Sequence, residues 1–71
     1  MTYVINLARR IGINTYDTFI IEVTKSEDDF RQHLINMQKT FKRCGYFVKV
    51  EKHIKDDFVN AYITVETKIT F

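Results

Sequence analysis

A single amphipathic helix, set among segments that alternate like β-strands, is the feature that most limits how this chain can fold. Residues 26–45 read SEDDFRQHLINMQKTFKRCG, and their apolar side chains recur every three or four residues. The positions that share this face of the helix are Phe30, Leu34, Met37 and Phe41. One helix covers only one face of a sheet, so the pattern predicts one helix layer packed on one sheet layer.

Both ends of this helix carry sequence signals of helix termini. Ser26 is a favourable N-cap residue, and the acidic residues 27–29 suit the positive end of the helix dipole. Gly45 can adopt the left-handed conformation that commonly follows a helix. We therefore place the helix at about residues 26–44.

The C-terminal part of the chain shows the two-residue alternation of half-buried strands. Apolar residues occupy most even positions of YFVKVEKHI, residues 46–54, and most odd positions of NAYITVETKITF, residues 60–71. The sequence KDD between them predicts a turn with two aspartates at the tip of a β-hairpin. The apolar faces of the two strands match if Val50 lies opposite Ile63.

A further strand is predicted before the helix, at residues 18–25, TFIIEVTK. Its odd positions are expected to face the core: Phe19, Ile21 and Val23. Its even positions are expected to face outward: Ile20 and Glu22. The preceding residues 14–17, NTYD, are expected to form the turn into this strand.

Residues 1–13 fit two patterns. A helix would place Val4, Leu7, Ala8 and Ile11 on one face, whereas a strand would alternate through Tyr3, Ile5 and Leu7. The many β-branched residues favour the strand. The order is then ββαββ, with αβαββ as the alternative.

The chain is therefore predicted to form one small α+β domain over residues 1–71, with one long helix on a mainly antiparallel sheet. A chain of this length buries only about 60% of its extended surface, and its single cysteine excludes an intramolecular disulfide. The second face of the sheet carries apolar residues that no helix covers: Val4, Ile20, Phe47 and Tyr62. We expect a homodimer or larger assembly, formed through that face or through an edge strand.

No catalytic, cofactor or metal site is expected. Cys44 and His33 lie eleven positions apart on the helix, roughly 16 Å along its axis, which is too far for a nucleophile and its base. No pair of histidines or cysteines has the spacing of a zinc site, and the two glycines are isolated. We interpret Cys44 as a small buried side chain at the helix end and expect a protein that is not an enzyme.

Positive charge is concentrated in residues 39–55, which hold six basic residues and one acidic residue, whereas the rest of the chain has a net charge of −3. Lys39, Lys42 and Arg43 suit the negative end of the helix dipole, so part of this charge stabilises the helix. These three residues also surround Ile35, an apolar residue outside the core stripe. An apolar centre with a charged rim is typical of protein interfaces.

Two sets of candidate binding residues follow. For protein binding they are Arg31, Ile35, Lys39, Lys42, Arg43, Phe47 and Tyr62. For nucleic-acid binding, the alternative, they are Phe47, Lys49, His53, Lys55, Tyr62 and Lys68, because aromatic rings among cations can stack on bases and contact phosphates. Glu51 and Glu66 share the latter face and weaken that alternative.

The preferred hypothesis is a non-enzymatic protein-binding or regulatory module with a protein partner. In size and make-up the chain is similar to small accessory proteins of phages and mobile elements, which implies docking on a host protein and inhibiting it. No signal peptide and no membrane-spanning apolar run are recognised in the sequence, and one cysteine fits a reducing compartment. We therefore expect a cytoplasmic protein.

Overall fold

The computed structural model describes residues 1–67 and confirms an α+β fold with the order ββαββ. The strands are β1 (Thr2–Arg10), β2 (Tyr16–Thr24), β3 (Tyr46–Lys55) and β4 (Phe58–Thr67), and the helix α1 spans Glu27–Arg43. The strand prediction for the N-terminus is therefore confirmed, whereas the predicted turn at residues 14–17 lies too late, because β2 already begins at Tyr16. Lys68 and the predicted strand residues that follow it lie outside the described part of the chain.

The four strands form one mixed sheet in the order β2-β1-β4-β3. The outer pairs β1–β2 and β3–β4 are antiparallel, as expected, and the central pair β1–β4 is parallel. The helix thus connects the two edge strands and crosses the sheet, packing mainly on β3 and β1 and only slightly on β2. We call the side of the sheet away from α1 the open face.

The C-terminal hairpin has the predicted register. Val50 lies opposite Ile63, so the apolar faces of β3 and β4 meet beneath the helix. Asp56 and Asp57 form the turn between the two strands. Asp56 has a φ of 54°, a left-handed conformation that aspartate tolerates better than most residues because its short side chain can hydrogen-bond locally.

The caps of α1 also follow the sequence signals. The hydroxyl of Ser26 accepts a hydrogen bond from the backbone N–H of Asp29 at 3.2 Å. Gly45 has a φ of 91° and ends the helix in the left-handed region. Cys44 lies between the last residue of the helix and Gly45, and it is exposed. The prediction of a buried cysteine was therefore wrong.

The core lies between α1 and the two central strands. Its buried members are Ile5, Phe30, Leu34, Val59, Ala61 and Ile63. Met37 and Phe41 are partly buried against it, which confirms the predicted helix stripe. The ring of Phe30 packs 5.0 Å from that of Tyr3, and Phe41 meets Tyr46 edge to face at 6.2 Å. Aromatic contacts therefore flank the buried aliphatic centre at both ends of the helix.

Tyr3 also links β1 to the first turn of α1. Its hydroxyl donates a hydrogen bond to the Glu27 carboxylate at 3.4 Å. Desolvation raises the pKa of the Tyr3 hydroxyl, and the neighbouring carboxylate raises this pKa further. The hydroxyl therefore stays protonated at neutral pH and remains a donor to the helix terminus.

A β-bulge in β2 changes which of its residues face the core. Ile5 of β1 pairs with Glu22, but the next residue, Asn6, pairs with Ile20, so Ile21 is an additional residue in the ladder. Beyond the bulge the alternation is inverted. Val23 therefore lies on the open face, opposite the prediction.

The same bulge turns Glu22 towards the helix, where the prediction placed it outward. Its Oε1 lies 2.5 Å from Nδ1 of His33, while its Oε2 is buried without a hydrogen-bond partner in the described residues. Phe19 and Ile21 remain 48% and 42% exposed because α1 hardly reaches β2. The prediction that these two residues pack in the core was wrong for this reason.

Leu34→Ala should lower the free energy of unfolding by about 2–5 kcal/mol, because it leaves a cavity between α1 and the sheet. Urea denaturation followed by circular dichroism measures this difference. Ile35→Ala is the matched control: Ile35 is half exposed, so the change should stay within about 0.5 kcal/mol. Equal stability of Leu34→Ala and the parent protein would contradict the assigned core face.

Candidate protein-binding site

A trough begins between α1 and the edge strand β3 and continues along the surface of α1. It consists of two hollows of about 400 and 180 Å³, which share Ile35 and Gln38. Its lining residues are Arg31, Leu34, Ile35, Gln38, Lys39, Lys42, Val50 and Lys52. We call this surface the Ile35 trough.

The helix period brings these residues together. Arg31, Ile35 and Lys39 follow one another at intervals of four, so they form a row along α1. Leu34 is buried and Val50 is half-buried, and together they provide an apolar floor where the helix packs on β3. Ile35 stands above this floor with 50% of its surface exposed. The trough therefore offers an apolar anchor point that is open to a partner.

The charge of the Ile35 trough has one sign. Its lining includes four cations and no carboxylate. Arg31 forms an ion pair with Glu27 at 2.5 Å, whereas Lys39, Lys42 and Lys52 form none with the residues that the structure describes. Three lysines thus surround an exposed isoleucine without a compensating charge, and an acidic partner can pair with them.

Helix capping explains only part of this charge. Lys42 and Arg43 lie in the last turn of α1, where they complement the helix dipole. Lys39 precedes that turn, and the dipole interaction falls off beyond it. The position of Lys39 is therefore not accounted for by helix stability.

The structure separates the predicted protein-binding residues. Arg31, Ile35, Lys39 and Lys42 line the Ile35 trough, whereas Arg43 lines neither of its hollows. Phe47 and Tyr62 lie on the open face, on the other side of the sheet. A flat interface cannot include both groups.

Sequence reasoning missed four members of the trough: Gln38, Lys52, and Leu34 and Val50 as lining residues. The signal for Lys52 was present in the sequence, because this lysine interrupts the even apolar positions of β3 between Val50 and Ile54. A cation on the helix side of an edge strand lies next to the helix flank, where it adds to the charge of the trough.

The predicted nucleic-acid residues meet on the open face. Phe47, Lys49, His53 and Lys55 alternate along β3, and Tyr62 lies on the neighbouring β4. Lys68 lies outside the described residues. The His53 and Tyr62 rings pack edge to face at 5.4 Å. The structure therefore gathers the aromatic and basic groups that stacking on bases would require.

A groove of about 470 Å³ crosses the strands on this face. Its floor is a row of small residues on three adjacent strands, Thr18, Ala8 and Thr64. Larger residues form its sides: Tyr16, Glu66, Tyr62, Glu51, His53 and Lys49. The groove arises because small side chains on β2, β1 and β4 fall in register.

Carboxylates in this groove weaken its attraction for a polyanion such as nucleic acid. Glu51 and Glu66 both line it, and Lys49 is the one lysine among its lining residues. Glu66 is paired with Arg10 at 3.4 Å, and Glu51 lies 3.4 Å from His53. Two acids in a groove with one lysine make a poor path for a phosphate backbone.

The arrangement of residues 1–67 does not indicate metal binding or a catalytic Cys–His pair. No group of three or more His, Cys, Asp or Glu side chains in this part of the chain could hold a metal ion. His33 lies within α1 and contacts Glu22, while Cys44 is the C-cap residue of this helix. No described helix is long and apolar enough to cross a membrane.

No protein-family model, curated protein or solved structure matches this chain.

Lys39→Gln should raise the free energy of unfolding by roughly 0.3 kcal/mol at low salt, because it removes repulsion from Lys42 and Arg43 on the same helix face. Lys42→Gln is the matched comparison, and it should bring no such gain because Lys42 complements the helix dipole. Thermal or urea denaturation measures both variants. The differences should fade near 1 M salt, where screening acts within about 3 Å. A loss of stability in Lys39→Gln would show that Lys39 supports the fold.

Proposed function

We propose that this protein is a non-enzymatic protein-binding module that docks its Ile35 trough on an acidic surface of a protein partner. The observation that carries the proposal is the half-exposed Ile35 between three unpaired lysines, in a trough lined by no carboxylate. Such a group of like charges is costly to the free protein and gains energy when an acidic partner binds.

The shape of the trough suits a side-chain anchor. Apolar floor residues lie at its bottom and cations at its rim, which is the usual arrangement of a protein interface. A partner's apolar or aromatic side chain can enter the hollow beside Ile35, where water is displaced from apolar surface. Carboxylates around that side chain can pair with Lys39, Lys42 and Lys52. Anchor and charges therefore act on the same partner segment.

The mode of action that fits a module of this size is occupation of a partner's surface. We propose a regulatory role, in which the bound domain inhibits its partner by covering a surface that the partner uses to bind other molecules. The similarity of the chain in size and composition to phage accessory proteins supports inhibition of a host protein. The single cysteine, which is exposed, supports a reducing compartment, and we propose the cytoplasm.

Photo-crosslinking from the trough tests the proposal. Gln38 lines both hollows, so a photoreactive amino acid at this position should crosslink one protein partner in cells. Ile35→Asp in the same chain should abolish that crosslink, because a carboxylate replaces the apolar anchor. Lys39→Ala should instead slow association with the identified partner, measured by surface plasmon resonance at increasing salt.

The matched control is Ile13→Asp. Ile13 is an exposed isoleucine in the loop between β1 and β2 and lines neither hollow of the trough. This variant should retain the crosslink in full. Equal loss of the crosslink in both variants would point to a general effect of the charge, and a crosslink that survives Ile35→Asp would refute the docking surface.

Nucleic-acid binding is the second candidate function. The observation in its favour is that Phe47, Lys49, His53 and Tyr62 share the open face. The carboxylates of Glu51 and Glu66 in the same groove oppose it. We therefore propose protein binding as the function and use oligonucleotides to test the alternative.

The domain should show no micromolar binding to fluorescent single-stranded DNA or RNA in about 0.15 M salt, because too few cations line the open face for counterion release. Fluorescence anisotropy over a range of salt concentrations measures this. If binding occurs, weakens steeply with salt and is impaired by Lys49→Ala more than by Ile35→Ala, the nucleic-acid function replaces the protein-binding one.

A further inference from the structure

A third hollow continues the Ile35 trough towards the first turns of α1. It has a volume of about 260 Å³, and its lining includes Ile54 of β3. Arg31 and Lys52 line both this hollow and the 400 Å³ hollow of the trough, so the two hollows are adjacent. We call the third hollow the Ile54 hollow.

The Ile54 hollow offers a second apolar anchor point. Ile54 lies on the helix side of β3 opposite the buried Val59, yet it is 72% exposed. Phe30 and Val59 are buried and line the same hollow, so they give it an apolar floor. The arrangement repeats that of the trough, where the half-exposed Ile35 stands above an apolar floor.

Cations alternate with the two anchor points along α1. Arg31 and Lys52 lie between Ile54 and Ile35, since they line both hollows. Lys39 and Lys42 line the 180 Å³ hollow on the other side of Ile35. The order along this surface is therefore apolar, cationic, apolar and cationic.

Internal ion pairing leaves most of this charge uncompensated. Among the described residues that line the three hollows, Glu27 supplies the one carboxylate. That carboxylate pairs with Arg31 at 2.5 Å and accepts a hydrogen bond from the Tyr3 hydroxyl. Lys52, between the two anchor points, has no ion pair with the residues that the structure describes. An acidic group of a partner can therefore pair with Lys52.

We infer that the three hollows together bind one linear segment of the acidic partner, in which apolar and acidic side chains alternate along the bound surface. The segment belongs to the partner that docks on the trough, so the inference rests on the proposed function. One apolar side chain enters beside Ile35 and a second beside Ile54, while the acidic side chain between them pairs with Lys52. Further carboxylates of the segment face Lys39 and Lys42.

The spacing of the anchor points limits the length of this segment. Val50, in the floor of the trough, and Ile54 are four residues apart on β3, which corresponds to roughly 13 Å. An extended partner segment covers that distance with about four residues and a helical one with about nine. The two apolar side chains of the partner should therefore lie within about ten residues of each other in its sequence.

Photo-crosslinking of the full chain from two positions tests the inference. A photoreactive amino acid replaces Gln38 in one variant and Ile54 in the other. Mass spectrometry should map both crosslinks to one protein, within about ten residues of each other and with an Asp or Glu between them. A segment without that acidic residue, crosslinks in separate segments, or no crosslink from position 54 when position 38 reacts would overturn the inference and leave the proposed function standing. Absence of a crosslink from position 38 would refute the proposed function itself.

Ile54→Asp measures the contribution of the second anchor point. The probe is a fluorescent synthetic peptide of the crosslinked partner segment, and anisotropy gives its Kd. Ile54→Asp should raise this Kd about tenfold or more, because a carboxylate replaces the apolar anchor. The matched control is Ile20→Asp: Ile20 is 68% exposed on the other edge strand and lines none of the three hollows, so the Kd should stay within about twofold. Equal binding by Ile54→Asp and the parent would contradict a second anchor.

A charge swap tests the position of Lys52. Lys52→Glu should weaken binding of the same peptide about tenfold, because two carboxylates then face each other. Replacing the acidic residue of the peptide between the two anchors by lysine should restore binding to Lys52→Glu and weaken binding to the parent. If the exchanged peptide binds Lys52→Glu no better than the original peptide does, Lys52 does not face that acidic residue and the proposed order is wrong.

Discussion

The parallel pairing of β1 with β4 is the interaction on which the rest of the structure depends. It joins the first and last described strands at the centre of the sheet, where Ile5, Ala61 and Ile63 are fully buried. Each central strand also pairs with its sequence neighbour, so β2 and β3 become the edges. The helix must then cross from one edge to the other. A core of this form is compact, but it leaves both edges and one face of the sheet to solvent.

The position of the single helix decides how these exposed surfaces differ. Because α1 packs on β3 and β1, its flank meets the lysines of the β3 edge and creates the Ile35 trough. The opposite edge receives little cover, and β2 keeps its apolar residues exposed. One side of the molecule is thus cationic with an apolar anchor, and the other is an apolar strand without lysines. The proposed acidic partner concerns only the first of these two surfaces.

The charge on this domain divides into a part that stabilises α1 and a part that does not. Lys42 and Arg43 stabilise the last turn of α1, and Glu27 pairs with Arg31 at the first. Lys39 and Lys52 add to a cluster of like charge and have no ion pair with the described residues. A fold selected for stability alone would avoid such a cluster. The cost is small, and an acidic partner can reverse it, which is why we connect these two lysines with binding.

The sequence by itself determined the elements whose physics is local. The period of apolar residues and the caps located α1, and the alternation of β3 and β4 set Val50 opposite Ile63. The preference of β-branched residues for strands identified β1. Each of these depends on neighbouring residues or on a two-residue turn. For the candidate site, the sequence was enough to place Arg31, Ile35 and Lys39 in one row along the helix.

The tertiary structure alone decided which strands are neighbours and which residues share a surface. The bulge at Ile21 depends on how β2 pairs with β1, and it moved Glu22 to the helix side and Val23 to the open face. Lys52 joined the trough only because α1 packs on β3. Phe47 and Tyr62, grouped with Ile35 as apolar residues outside the predicted core, lie on the far side of the sheet. Contacts between residues distant in sequence set these outcomes, and no local period encodes them.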